Sequence, residues 1–114
     1  MSQRTSQVGA LMTQEINNIM LRDFEPPRGC LITISHTEPT PDLKHAKVFV
    51  SVLPNSMSGT ALAALKKQTG HIQYKLNRTL SMRFVPRIQW VYDETNIKLD
   101  RIDRALNNVD EPLQ

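Results

Sequence analysis

Eight cationic side chains (Lys44, Lys47, Lys66, Lys67, Lys75, Arg78, Arg83 and Arg87) fall between Leu43 and Tyr92, a stretch that contains no Asp or Glu. The flanks hold the other six cations and all eleven carboxylates, so the net charge of +3 conceals a strongly basic middle. A field of one sign attracts polyanions, and phosphate contacts supply most of the sequence-independent affinity for nucleic acid. Lys66, Lys67, Lys75 and Arg78 surround Gly70 within one helical segment, where phosphate contact is the chemistry they suit. Ordinary helix-surface charge is the competing reading, with acidic partners arriving from the flanks in space. Arg83 and Arg87 flank Pro86 at a strand entrance, and Lys47 shares a strand face with Phe49. These three and Arg28 are divided between RNA contact and solvated charge, Lys47 with the further option of a salt bridge or snorkelling. Tyr74 is the aromatic placed for stacking on a base, whereas Trp90 reads as core.

Other chemistries are poorly supplied. His36, His45 and His71 have no metal-ligand spacing, and the single Cys30 rules out both an internal disulfide framework and a multi-cysteine zinc site. Asp93 and Glu94 are adjacent and point to opposite strand faces, while Asp100 and Asp103 belong to a terminal segment where acids are usually solvated. No catalytic residue, metal or cofactor is expected. The longest apolar run, Ala61 to Leu65, is too short to span a bilayer, and the N-terminal residues lack the pattern of a secretory signal. At 114 residues the chain reads as one globular, cytoplasmic domain with a core over about 5–95 and a tail over about 96–114.

The elements that must position these groups follow from periodicity. Val8, Leu11 or Met12, Ile16, Ile19 and Met20 recur at helical spacing over Arg4 to Leu21, and Pro26-Pro27 ends that helix. Cys30 to His36 reads as a strand. Asp42 to Leu53 reads as a second, with Ala46, Val48, Val50 and Val52 on one face and Lys47, Phe49 and Ser51 on the other. Leu62, Leu65, Ile72, Leu76 and Leu80 give Ser58 to Ser81 a helical stripe, but Gly70 lowers helix propensity by about 1 kcal/mol relative to alanine. Two helices meeting in a kink at Gln68-Thr69-Gly70 are therefore expected. Gly70 would serve as a C-cap, and amide donors freed at the start of the second helix would add to an anion site. Arg87 to Tyr92 is a third strand, and Asn96 to Asn107 a last short helix. The fold class is α+β, in the order α-β-β-α-α-β with a helical tail.

That order resembles the type II KH fold, although Gln68-Thr69-Gly70 occupies the place of the usual GXXG loop. More specifically, four stretches resemble the ribosome-binding factor A family: Pro27-Arg28-Gly29 with Ile32-Thr33-Ile34; Asp42-Leu43 with Ala46-Lys47-Val48-Phe49-Val50; Ala64-Leu65-Lys66 through Gly70, Ile72 and Leu76; and Pro86, Ile88, Asp93 and Arg101-Ile102. The sequence departs from the family pattern at Gln68, where alanine is usual. It departs again at Gln73, where a basic residue is frequent, and at Arg28-Gly29, which are adjacent rather than separated. The resemblance implies a monomeric bacterial or organellar assembly factor, in the cytoplasm or an organelle matrix or stroma. Such a factor would bind the small ribosomal subunit and its rRNA and assist its maturation, rRNA processing and cold adaptation. It would use no cofactor, small-molecule substrate or membrane. It implies RNA binding by Lys66, Lys67, Gly70, Lys75, Arg78, Arg83, Arg87, Lys47 and Arg28. A protein–protein adaptor with a basic docking face is the alternative, and a small nuclease a distant third.

Overall fold

The apolar stripe of the first segment becomes helix α1, Gln3–Asp23, in a computed structural model that describes residues 3–94. Met12, Ile16 and Ile19 are fully buried and Met20 nearly so, while Leu11 turns outward. The chain leaves α1 through an amide bond from Phe24 to the Met20 carbonyl, and Pro26-Pro27 prevents continuation. Gly29 then turns with φ 84°, a conformation that glycine adopts without steric cost.

Three strands follow: β1, Leu31–Pro39; β2, His45–Leu53; and β3, Arg87–Tyr92. They form one sheet in the order β1-β2-β3, with β1 antiparallel and β2–β3 parallel. Ala46, Val48, Val50 and Val52 alternate inward along β2 as expected, and Lys47 points to the opposite side. β1 runs past His36 to Pro39, because a bulge between Ile34 and His36 shifts the register and lets Thr37 and Pro39 face inward. Ser35, at that bulge, donates its hydroxyl to Asp93 Oδ2 at 2.8 Å. Asp93 is thus a buried tie between the bulge in the middle of β1 and the end of β3. The hairpin β1–β2 closes on Thr40, whose amide donates to the His45 carbonyl at 2.8 Å, so β2 begins three residues later than its apolar pattern suggests.

A 3-10 turn, Asn55–Met57, leads into helix α2, Ser58–Thr79. This corrects the expected kinked pair: α2 is a single unbroken helix through Gln68-Thr69-Gly70, and the observed order is α-β-β-α-β. Gly70 is neither a cap nor a second helix start, so no amides are freed there. Packing explains the difference. Leu65, Ile72 and Leu76 are essentially fully buried on both sides of the glycine, and each such burial is worth about 1.5–3 kcal/mol, more than the glycine costs. Hydrogen bonds add to this. Thr69 donates its hydroxyl to the Leu65 carbonyl at 2.8 Å and accepts the Trp90 indole N–H at 2.7 Å, which pins the middle of α2 to β3. Trp90 is accordingly only partly buried, packed against the core with its polar edge satisfied.

Both helices cover one face of the sheet. α1 comes closest to β1 at Gly9, where a β-carbon would lie 2.4 Å from the Thr37 carbonyl oxygen, so only glycine fits. The expected helix over 96–107 and the tail lie outside the described residues.

Each edge of the sheet is met by a side-chain amide. Asn17 of α1 donates to the Ile34 carbonyl and accepts the Ile34 N–H, at 3.3 and 3.1 Å. Gln73 of α2 accepts the Ile88 N–H at 2.9 Å and donates to the Pro86 carbonyl at 3.2 Å. Replacing Gln73 by Ala leaves both backbone groups of β3 without these partners, and an unpaired buried group costs about 1–3 kcal/mol. The Gln73→Ala variant is therefore expected to unfold at lower denaturant concentration, with faster hydrogen exchange at the Ile88 amide. Unchanged exchange would show that the clamp does not hold the edge.

Candidate nucleic-acid interface

Gln73 stands where a basic residue is frequent in the family pattern, and its side chain is engaged with Pro86 and Ile88 rather than free on the surface. Lys66, Lys67, Gly70, Tyr74 and Arg78 are all exposed and recur at helical spacing, so they form one outward stripe. Lys66 and Lys67 meet no carboxylate among the described residues. Arg78 donates to the Tyr74 hydroxyl at 2.9 Å, with its guanidinium carbon 5.6 Å from the ring centroid. That contact holds a cation against a ring that is 55% exposed, a surface suited to a sugar–phosphate group or an unstacked base. A β-carbon at Gly70 would meet nothing within 4 Å, so the stripe has an open, flat centre.

The other site candidates lie elsewhere. Lys75 is turned toward the end of α1, 4.0 Å from the Asp23 carboxylate, which also lies 3.5 Å from His71. Among the described residues this is where the acidic flank supplies a partner to an α2 cation, and Lys75 is less available to a phosphate than the sequence suggests. Lys47 projects from the uncovered face of the sheet, opposite Glu38 in register. Arg87 shares that uncovered side, in register with His45. On the same face His36 stacks on Phe49, ring centroids 4.2 Å apart, and pairs with Glu38 at 3.5 Å. Arg28 is exposed in the turn between α1 and β1.

Arg83 and Arg87 do come together, in a cleft of about 820 Å³ that Arg4 and Lys44 also line. Sequence reasoning missed Phe84 in this cleft, although a phenylalanine between Arg83 and Val85 in a segment without periodicity was its signal. Asp42 is the acid on the rim. The Thr40 hydroxyl, the Lys44 amide and the nearby Lys44 and His45 charges hold its carboxyl below the ordinary value, so it stays ionised. No described group of three or more His, Cys, Asp or Glu could hold a metal, and no described helix is long and apolar enough to cross a membrane.

The sequence model of the family described as Ribosome-binding factor A matches residues 4–106. The chain belongs to the ribosome-binding factor A family. A member from Coxiella burnetii is 34% identical over 96% of both chains. One from Nitrosococcus oceani is 32% identical over 97% of this chain and 86% of its own. The fold agrees with the crystal structure of ribosome-binding factor A from Thermus thermophilus, at a TM-score of 0.67 and 22% identity, covering 77% of this chain and 93% of that one. It also agrees with coordinates of the Thermus thermophilus protein fitted into a cryo-electron-microscopy map of a 30S complex, at a TM-score of 0.65 and 20% identity, over 78% and 94% of the two chains. In this member of the family Gln73 clamps the sheet edge, while Lys66 and Lys67 of the family-like segment are exposed.

Open space at Gly70 separates two effects that usually move together. Gly70→Ala removes the helix cost of glycine without a clash, so stability is expected to rise by up to about 1 kcal/mol in denaturant unfolding. If a nucleic-acid backbone approaches the stripe at this point, the same variant binds RNA more weakly. A variant that is both more stable and equally tight would place the contact elsewhere on α2.

Proposed function

We propose that this chain is a non-catalytic ribosome assembly factor that binds the small ribosomal subunit and its rRNA through the outward stripe of α2. Its action is to hold one conformation of a helical rRNA segment during maturation, including rRNA processing and cold adaptation. The observation that carries this reading is the pairing of Lys66 and Lys67, which meet no carboxylate among the described residues, with the Arg78–Tyr74 platform on one exposed helix face. Family membership supports it, as does the 30S complex into which the related Thermus thermophilus coordinates were fitted.

The chemistry is electrostatic and reversible. Lys66, Lys67 and Arg78 neutralise phosphates, Tyr74 supplies a stacking surface, and Gly70 allows close approach of a backbone. Arg83 and Arg87 extend the basic surface at one end of the fold, while Lys47, Lys75 and Arg28 make smaller contributions. The protein acts as a cytoplasmic monomer without a cofactor, small-molecule substrate or membrane. The KH-like description of the fold, with a core over about 5–95 and a tail over 96–114, belongs to the same reading.

Co-sedimentation with immature small subunits, mature small subunits and large subunits tests it. The wild-type chain is expected to pellet selectively with small subunits. A Lys66→Glu, Lys67→Glu, Arg78→Glu variant with a wild-type circular dichroism spectrum is expected to lose most of that binding. A folded variant that pellets like the wild type would overturn the assignment of the stripe, and a wild type that pellets with no subunit would favour an acidic protein partner.

A further inference from the structure

We propose that the cleft between the β1–β2 turn and the α2–β3 loop is a second RNA site, which takes one unstacked nucleotide of a single strand. This deepens the reading above and rests on RNA being the partner. The base would lie on Phe84, and its phosphates among Arg83, Arg87 and Lys44.

The cleft is built rather than incidental. The loop Ser81–Val85 is anchored on both sides by buried residues, Leu80 and Pro86, and the Leu80 amide donates to the Leu76 carbonyl at 3.0 Å. Between these anchors Phe84 is nevertheless 73% exposed. The Arg83 guanidinium carbon lies 5.5 Å from the Phe84 ring centroid, so a cation already sits beside the aromatic surface. The opposite wall is fixed too, because the Arg87 amide donates to the Lys44 carbonyl at 2.9 Å and brings the two cations' backbones together. Arg4 of α1 adds a fourth cation. Asp42 is the acid of the lining, and its Oδ1 is occupied by the Thr40 hydroxyl at 2.6 Å and the Lys44 amide at 3.0 Å.

An exposed ring beside guanidinium groups that make no ion pair among the described residues fits a single nucleotide better than a duplex. A base in a helix has both faces stacked and cannot offer one to Phe84, whereas single-stranded nucleic acid is held by aromatic stacking combined with a cationic groove. The stripe on α2 and the cleft thus suit different RNA forms: the first a helical segment, the second a strand beside it.

Amide chemical shifts of the full-length chain, titrated with an unstructured oligouridylate, test the cleft directly. Saturable shifts are expected at Lys44, Met82, Phe84 and Arg87. A Phe84→Ala variant, which removes an exposed side chain, is expected to bind the oligouridylate about tenfold more weakly. A Leu21→Ala variant, which likewise removes an exposed apolar side chain but far from the cleft, is expected to bind it as the wild type does. Shifts confined to α2, no shifts, or equal binding by Phe84→Ala would overturn the proposal, even if the chain still co-sediments with small subunits through α2. Oligouridylate binding at the cleft without any small-subunit binding would instead leave the cleft standing and remove the ribosomal reading. If an oligoglutamate peptide shifted the cleft amides and oligouridylate did not, the cleft would be a protein-docking site and the proposal would fail.

Discussion

A three-stranded sheet has as many edges as a large one, and both of its outer strands carry backbone groups that no neighbouring strand pairs. In this chain each edge is met by the amide of a helical residue. Asn17 bonds both backbone groups of Ile34, as a neighbouring antiparallel strand would, and Gln73 spans Pro86 and Ile88, as a parallel one would. The two clamps do more than satisfy hydrogen bonds, because they set the rotation of each helix over the sheet. With Gln73 fixed on β3, and Thr69 receiving the Trp90 indole one turn earlier, α2 must direct Lys66, Lys67, Gly70, Tyr74 and Arg78 to solvent. The exposed stripe is thus a consequence of how the buried and hydrogen-bonded sides of the helix are fastened.

Much of this was readable from the amino-acid sequence. The strict alternation from Ala46 to Val52 makes β2 a strand with one buried face, and the stripe from Val8 to Met20 makes α1, because burial on one face leaves a simple periodic trace. The bounds of β3 were equally plain, set by Pro86 and the aromatic residues after it. The break at Gly70 was not real, since propensity is local and the burial of Leu65, Ile72 and Leu76 outweighs it. The roles of Asn17, Thr69 and Gln73 were hidden for a related reason. A polar residue beside an apolar stripe looks like surface until the edge it reaches is known, and edge positions depend on pairing between segments far apart in sequence.

The candidate site was legible in composition but not in arrangement. The acid-free stretch singles out these cations as a group, yet folding distributes them over the α2 stripe, the cleft by Arg83 and Arg87, the uncovered sheet face at Lys47 and the groove between the helices at Lys75. Among the described residues Asp23 of the acidic flank pairs with Lys75 and His71, whereas the cations of the stripe and of the cleft make no ion pair there. Exposed ion pairs such as Lys75–Asp23 contribute little to stability, so their effect here is on the charge offered to a partner rather than on the fold.

The central claim is that Lys66 and Lys67 neutralise phosphates of the small subunit, and the salt dependence of binding measures that number. Affinity for immature small subunits, determined for the wild type and for a Lys66→Gln, Lys67→Gln variant over a range of salt concentrations, gives the two slopes. The account predicts that the variant's slope is shallower by about 1.5 log units of affinity per log unit of salt, the loss of two phosphate contacts. Parallel lines, with the slope unchanged by the double substitution, would contradict it.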